Sequence, residues 1–337
     1  MAHSLHRTLA AALVAALVAA AAAAGPLAAQ TPPTVTLSGV AYAQFAAQLD
    51  SGKNSNFDVT RAYLNVIGRF SGGIMTRVTG DVYQNADGSH TYRLKYAFVN
   101  WTPTGSALTY RFGLITTPWI DWEEQLWDYR MQGPVAVDRN KRMTSSDFGA
   151  GVDGNINNEL VDFQASVFDG TGYSATPGDM HKVVAGRVSV RLVGTDDASR
   201  VGGLRLTGYA QVGAPSGGGT LNRFLGELSY RSKNLLLAGQ YGSIVDSTAG
   251  GAQFSRTITS IYGWYRIPSS PVGIIARVDL YDPKLTPTDN KTTDIIGGVS
   301  YQLSPNVRLL ADVDQLSFEN SAQAKITQGL FQLQFTF

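Results

Sequence analysis

Cysteine is absent from the 337 residues, so neither a disulfide framework nor a thiolate metal site is available to this chain. Histidine is scarce, with four residues in all. His3 and His6 lie in the N-terminal stretch, and His90 and His181 fall at expected loop or loop-edge positions. Ser89 or Ser174 would supply a Ser–His pair in sequence only, and adjacency along a chain is not triad geometry. The residues therefore argue against an enzyme. They also contain no His/Cys cluster for a transition metal. Three glycines at 217–219 lack the Lys-Ser/Thr and the strand–helix context of a phosphate cradle, and no cofactor is expected. An excess of charge of one sign is missing too: 27 Lys and Arg face 26 Asp and Glu, or 26 face 26 once Arg7 is set aside. That balance excludes the basic footprint of a nucleic-acid binder. Beyond the N-terminal stretch no run of about 20 apolar residues occurs, which excludes a helical membrane span.

What is present begins with "MAHSLHRTLAAALVAALVAAAAAAGPLAAQ". One Arg, a long Ala/Leu/Val run and small residues around Ala28 and Ala29 form the layout of a secretory signal peptide, with cleavage expected near Ala29. An N-terminal membrane anchor is the alternative. Residues 30–337 then form one unit. The 36 Gly and 10% aromatics of the whole sequence suit a β-rich chain.

Periodicity sets the architecture. In "DVTRAYLNVIGRF" (58–70), Thr60, Ala62, Leu64, Val66, Gly68 and Phe70 share one face; Val59, Arg61, Tyr63, Asn65, Ile67 and Arg69 share the other. A period of two is a strand signal. It recurs in "VVAGRVSVRL" (183–192), "IIARVDLY" (274–281) and "VRLLADVDQ" (307–315), with Arg or Asp opposite aliphatic residues each time. About sixteen strands follow, with starts near Thr34, Asp58, Ile74, Thr91, Leu108, Phe148, Leu160, Lys182, Leu204, Arg223, Leu235, Phe254, Val272, Thr293, Val307 and Ile326. Connections after even-numbered strands are mostly short, as in "SGG" at 71 and "PSSP" at 268. Those after odd-numbered strands are longer, the longest being 118–147. The closing "GLFQLQFTF" (329–337) turns Phe331, Phe335 and Phe337 to one side.

This pattern predicts an all-β fold: a transmembrane antiparallel β-barrel with short periplasmic turns, long extracellular loops and a wet interior. A soluble sandwich also alternates. It would not place Arg, Asp and Gln opposite the apolar residues on nearly every strand, nor gather Tyr92, Trp101, Tyr110, Tyr230, Tyr241 and Tyr301 near strand ends. Hydrocarbon tolerates no unpaired backbone edge, which favours the closed barrel. The location that follows is the outer membrane of a Gram-negative-type bacterium, with lipid as the surrounding partner.

Several stretches resemble the phosphate- and polyphosphate-selective porins (the porin O and P family). They are "FDVTRAYLNVIGRF" (57–70), "RLKYAFVNW" (93–101) and "YRFGLITTPW" (110–119), joined in pattern by "FGAGVDGNI" (148–156), "FQASVFDGTG" (163–172) and "VAGRVSVR" (184–191). The resemblance implies a passive channel for small hydrophilic solutes or anions, built as a homotrimer, with residues 118–147 folded inward as a constriction loop. That loop carries Asp121, Glu123, Glu124, Arg139, Lys141 and Arg142, with Trp119, Trp122 and Trp127 as anchors. Arg61 lacks the second adjacent Arg of similar strands, and Thr116 stands where Lys commonly precedes Thr-Pro. Phosphate specificity therefore does not follow.

The lumen face expected from the alternation carries Arg61, Arg69, Arg77, Arg93, Lys95, Arg111, Arg187 and Arg191, continued by Arg205, Arg223, Arg256, Arg266, Arg277 and Arg308. Opposing acids are Asp81, Asp153, Asp162, Glu227, Asp279, Asp294, Asp312 and Asp314. Arg rings lower the cost for an anion of leaving bulk water. The alternative is pairing with neighbouring acids that merely keeps the wall wet. On strands two to five six cations face only Asp81, and a mild anion preference is expected. A hydrolase or a surface-adhesion role for the same barrel is the competing function.

Overall fold

The period-two segments form sixteen strands in the computed structural model, which describes residues 32–50, 54–85, 87–175, 178–286 and 289–337. The expected signal peptide lies outside the described residues. The strands are β1 (Thr34–Gln48), β2 (Ser55–Phe70), β3 (Ile74–Gln84), β4 (His90–Trp101), β5 (Leu108–Thr116), β6 (Ser146–Ile156), β7 (Val161–Phe168) and β8 (Val183–Val193). They continue as β9 (Gly203–Gly213), β10 (Gly219–Arg231), β11 (Leu235–Thr248), β12 (Phe254–Arg266), β13 (Val272–Asp282), β14 (Thr292–Ser304), β15 (Val307–Phe318) and β16 (Ile326–Thr336). Each pairs antiparallel with its sequence neighbours, and β1 pairs with β16, so the sheet closes on itself. Closure leaves no strand edge open.

The barrel is inside out relative to a soluble domain. On β13, Ile274, Val278 and Leu280 are 37–48% exposed, while Arg277 and Asp279 between them are 2% exposed. Exposed aliphatic rows on one face and buried charge on the other are what a hydrocarbon exterior and a polar lumen require. Tyr92, Tyr230, Tyr241 and Tyr301 all keep exposed rings on the outer surface, as interfacial girdles demand.

Most strand starts fall within two residues of their expected positions. β2 and β10 begin earlier, at Ser55 and Gly219, because backbone pairing with β1 and β11 continues past the expected starts. Register shifts interrupt four strand pairs, β1/β2, β3/β4, β8/β9 and β14/β15, and the first two re-aim residues of the wall. Between β1 and β2 the register shifts, so that Tyr42 faces Arg61 and Ala43 faces Val59. Thr60 is the extra residue, and Val59 turns outward, 40% exposed, instead of sharing the face of Arg61. Between β3 and β4, Thr79 faces Tyr96 while Gly80 faces Leu94. The spare residue is Lys95, and both it and Tyr96 are buried. A bulge of this kind re-aims side chains by one position.

The short-turn side is tightly built. Gly73, at φ 75°, accepts a 2.9 Å hydrogen bond from the Thr102 amide through its carbonyl. A Cβ there would lie 1.9 Å from the Thr102 carbonyl oxygen, so only glycine fits.

The core sits inside the barrel. After β5 the chain turns inward as helix α1 (Pro118–Trp127), then a short helix α2 (Ala136–Arg139), before rejoining the wall at β6. Pro118 opens α1 at a position where a missing amide hydrogen costs nothing, and Asp128 closes it in the left-handed conformation, its amide donating to the Glu124 carbonyl at 3.3 Å. Trp119, Ile120, Trp122, Leu126 and Val137 are fully shielded.

The seam between the first and last strands ends in a ring packed on a glycine. Gly39 and Phe337 exchange two backbone hydrogen bonds, of 2.9 and 3.1 Å. A Cβ on Gly39 would stand 2.2 Å from Cζ of Phe337, so the ring occupies the space a side chain would need. Gly39→Val is expected to displace it and lower barrel stability by about 1–3 kcal/mol. The urea midpoint for folding into lipid vesicles checks this, and an unchanged midpoint contradicts it.

Candidate functional site

Residues 118–145 hold their place in the lumen through hydrogen bonds to wall strands from β10 round to β16. Trp122 Nε1 donates to Glu227 at 3.2 Å, and Tyr262 Oη donates to the other oxygen of Glu227 at 2.7 Å. Glu123 accepts from Trp119 Nε1 at 2.8 Å and from Gln240. Trp264 Nε1 donates to the Leu126 carbonyl (3.0 Å), Arg308 to the Asp128 carbonyl (2.8 Å), Gln332 to the Met131 carbonyl (2.9 Å) and Arg277 to the Pro134 carbonyl (2.8 Å). Farther along, Arg139 pairs with Asp294 and, at 2.9 Å, with Asp314. Arg142 reaches Asp246 at 3.3 Å. The backbone of a non-regular segment inside a membrane barrel is tolerated where protein or water satisfies it, and here the wall supplies the partners.

The structure divides the eight basic residues expected on the lumen face. Arg61 and Arg93 converge on Asp81, at 3.0 and 2.9 Å. Arg111 pairs with Asp153 at 2.5 Å, and Arg187 with Asp162 beneath the ring of Trp122. Arg111 and Arg187 are each matched by a carboxylate, whereas Arg61 and Arg93 share one, which leaves a single positive charge between them. Arg77 and Lys95 have neutral hydrogen-bond partners. Arg77 donates to Thr79 and Asn65, each at 3.0 Å, and lies over the Tyr96 ring. Lys95 donates to the Tyr63 hydroxyl at 3.3 Å, with its ammonium 4.4 Å from that ring's centroid. Neither meets a carboxylate among the described residues. Arg69 and Arg191 stand at the short-turn rim, away from the narrow region: Arg69 is exposed, and Arg191 ties down the turn carbonyls of Asn158 and Ser199.

Of the loop residues, Asp121 accepts from Arg200 at 3.3 Å, Glu124 from Arg130 at 2.9 Å, and Lys141 is exposed. Arg130 and Arg200 were not singled out by sequence. Arg200 lies in the long connection between β8 and β9, which folds back into the lumen and brings it to Asp121 and Asp162. The only sequence signal was the unusual length of that connection. His90 faces Asp58 at 3.4 Å and His181 faces Asp179 at 2.9 Å. Neither is hydrogen-bonded to a serine hydroxyl among the described residues.

Open space remains between the inserted segment and strands β1–β4. One cavity of about 260 Å³ is lined by Tyr42, Tyr63, Arg77, Lys95, Glu124, Asp128 and Arg130. Another of about 340 Å³, lined by Asp58, Arg61, Gln84 and residues 130–134, adjoins it through Arg130. Together they present four cations to three carboxylates. Asp128 is already engaged by Arg266 and Arg308 from the opposite wall.

Behind the segment, Glu123 is 1% exposed. Burial, and next the Glu227 carboxylate, push its carboxyl up to about 8. A carboxyl raised in the folded state binds more protons folded than unfolded, so stability is lost as pH rises from about 4.5 to about 8. The thermal unfolding midpoint is expected to drop across that window, and Glu123→Gln is expected to flatten the drop. Superimposable pH profiles for the two proteins would contradict the assignment.

Comparison with known proteins agrees with this geometry. A family model described as Gram-negative porin matches residues 15–321. No curated protein matches the chain in sequence. Among solved structures, an anion-selective porin from Comamonas acidovorans is similar with a TM-score of 0.66 at 15% identity, over 91% of this chain and 100% of that one. The in-vitro folded OmpT of Vibrio cholerae in trimer form gives 0.65 at 10% identity, over 91% and 100%. Salmonella typhi OmpF in complex with daunomycin gives 0.63 at 10%, over 90% and 97%. At such identities the likeness is one of fold. The family model, spanning most of the sequence, carries the assignment: this chain belongs to the Gram-negative porin family.

Proposed function

We propose that this porin is a passive channel for small hydrophilic solutes across the outer membrane, with a mild preference for anions, and that residues 118–147 form its constriction. The observation that carries the selectivity is the pair Arg77 and Lys95, which face the passage held by neutral partners only. A cation whose field is not cancelled by a carboxylate lowers the barrier to an anion and raises it to a cation. Arg111 and Arg187 are paired and contribute little, and Arg61 and Arg93, sharing Asp81, add one uncompensated charge between them. A net excess of about one charge beside a wet passage is worth roughly 1 kcal/mol after screening, a permeability ratio of a few-fold rather than exclusion of cations.

Export by an N-terminal signal peptide (1–29) and assembly as a homotrimer belong to the same proposal. The trimer form of Vibrio cholerae OmpT, a barrel of similar fold, supports the oligomer. The motif-level resemblance to phosphate-selective porins makes phosphate the first anion to compare with chloride.

Reversal potentials in a KCl gradient test this directly, on protein purified as three-copy particles in detergent. Anion preference is expected, reduced in Arg77→Gln and in Lys95→Gln and unchanged in Lys233→Gln on a distant turn. Cation preference in the unmodified channel overturns it.

A further inference from the structure

A further, smaller cavity, of about 110 Å³, lies on the long-loop side of the inserted segment, away from the passage along β1–β4. Its walls are the root of the segment (Thr117 and 141–144), the end of β7 with the glycines that follow, and Arg223 on β10. Arg223 is 8% exposed. Its guanidinium makes no hydrogen bond and no ion pair among the described residues, and Nε is buried without an acceptor. Thr171 lines the same cavity, and its hydroxyl is likewise buried without a partner.

The nearby acids are committed elsewhere. Asp147 accepts from the Phe148 amide at 2.8 Å through one oxygen and from the Gly170 amide at 3.0 Å through the other. Asp246 is shared by Arg256 at 3.0 Å and Arg142 at 3.3 Å. The Thr117 and Thr144 hydroxyls donate to backbone carbonyls. Lys141, exposed and without an ion pair among the described residues, adds a third cation at the cavity beside Arg142 and Arg223.

Buried polar groups in native folds are satisfied, and a buried charge without a counter-charge costs several kcal/mol. Water answers the hydrogen bonds but not the charge. An oxyanion answers both, and the planar fork of an arginine suits two of its oxygens. We propose that this cavity, with Arg223 and Thr171 as its donors, binds a small oxyanion. With a water's share of liquid volume at about 30 Å³, the space holds about three or four waters' worth, enough for an ion of sulfate size and too little for a sugar phosphate. The proposal rests on the reading of the barrel as an anion-passing channel and gives that channel a loading site upstream of its constriction.

Sulfate is the probe, titrated by calorimetry into the full mature barrel in detergent. One site per chain is expected. Arg223→Gln weakens it about tenfold or more, Thr171→Val about threefold, and Lys233→Gln not at all. Folding is checked by the mobility of unheated protein in gels. If Arg223→Gln does not fold, Arg223→Lys, which keeps the charge and loses the fork, is expected to weaken binding several-fold. Unmodified protein that binds no sulfate, or Arg223 variants that bind as it does, overturn the site. Reversal potentials separate the two proposals: anion preference with no sulfate binding removes the site alone, and sulfate binding with cation preference removes the selectivity alone.

Discussion

Everything in this molecule follows from the intolerance of hydrocarbon for an unpaired peptide group. A sheet with edges would leave rows of amides and carbonyls unbonded in the membrane, so β16 returns to β1 and the ladder closes. Closure divides every strand into a face toward lipid and a face toward the lumen, and the side chains obey that division. Ile274, Val278 and Leu280 look outward; Arg277 and Asp279, between them in sequence, look inward. The ring of Phe337 resting on Gly39 completes the seam at which the first and last strands meet.

A barrel of sixteen strands encloses more space than wall side chains alone can fill. The chain fills part of it with its own longest loop. Three tryptophans give α1 an apolar body, and Glu227, Gln240, Trp264, Arg277, Arg308 and Gln332 give its polar groups partners on the wall. Loop and wall are hydrogen-bonded chiefly on the β10–β16 side, while open cavities lie both toward β1–β4 and between Arg139 and strands β13–β16. Most cations and acids are brought together in pairs, and the cations left without an ion pair among the described residues include Arg77 and Lys95 on one side and Arg223 on the other.

Much of this was legible in the sequence, and what was not has identifiable causes. Period-two alternation is dictated by the two solvents on either side of the wall, so strand number, direction and sidedness could be read from residues such as 274–281 and 307–315. Loop 118–147 announced itself by length and tryptophan content. Alternation cannot reveal a bulge: a strict period of two puts Val59 on the inner face with Arg61 and gives no sign of the extra position at Lys95. Nor does it say how far along the lumen a residue sits: Arg69 and Arg191 obey the inward pattern, yet stand at the rim. Pairing is set by register between strands and by loop tertiary structure. The neutralisation of Arg111 by Asp153, the return of Arg200 to Asp121 and the burial of Glu123 against Glu227 had no local signature.

Lying inside the barrel, residues 118–145 should narrow a water-filled lumen. Single-channel conductance of a barrel in which residues 119–142 are replaced by a short Gly/Ser linker tests it most directly. A severalfold rise in conductance from a barrel that still folds is the expected result; a folded barrel with unchanged conductance would contradict the claim.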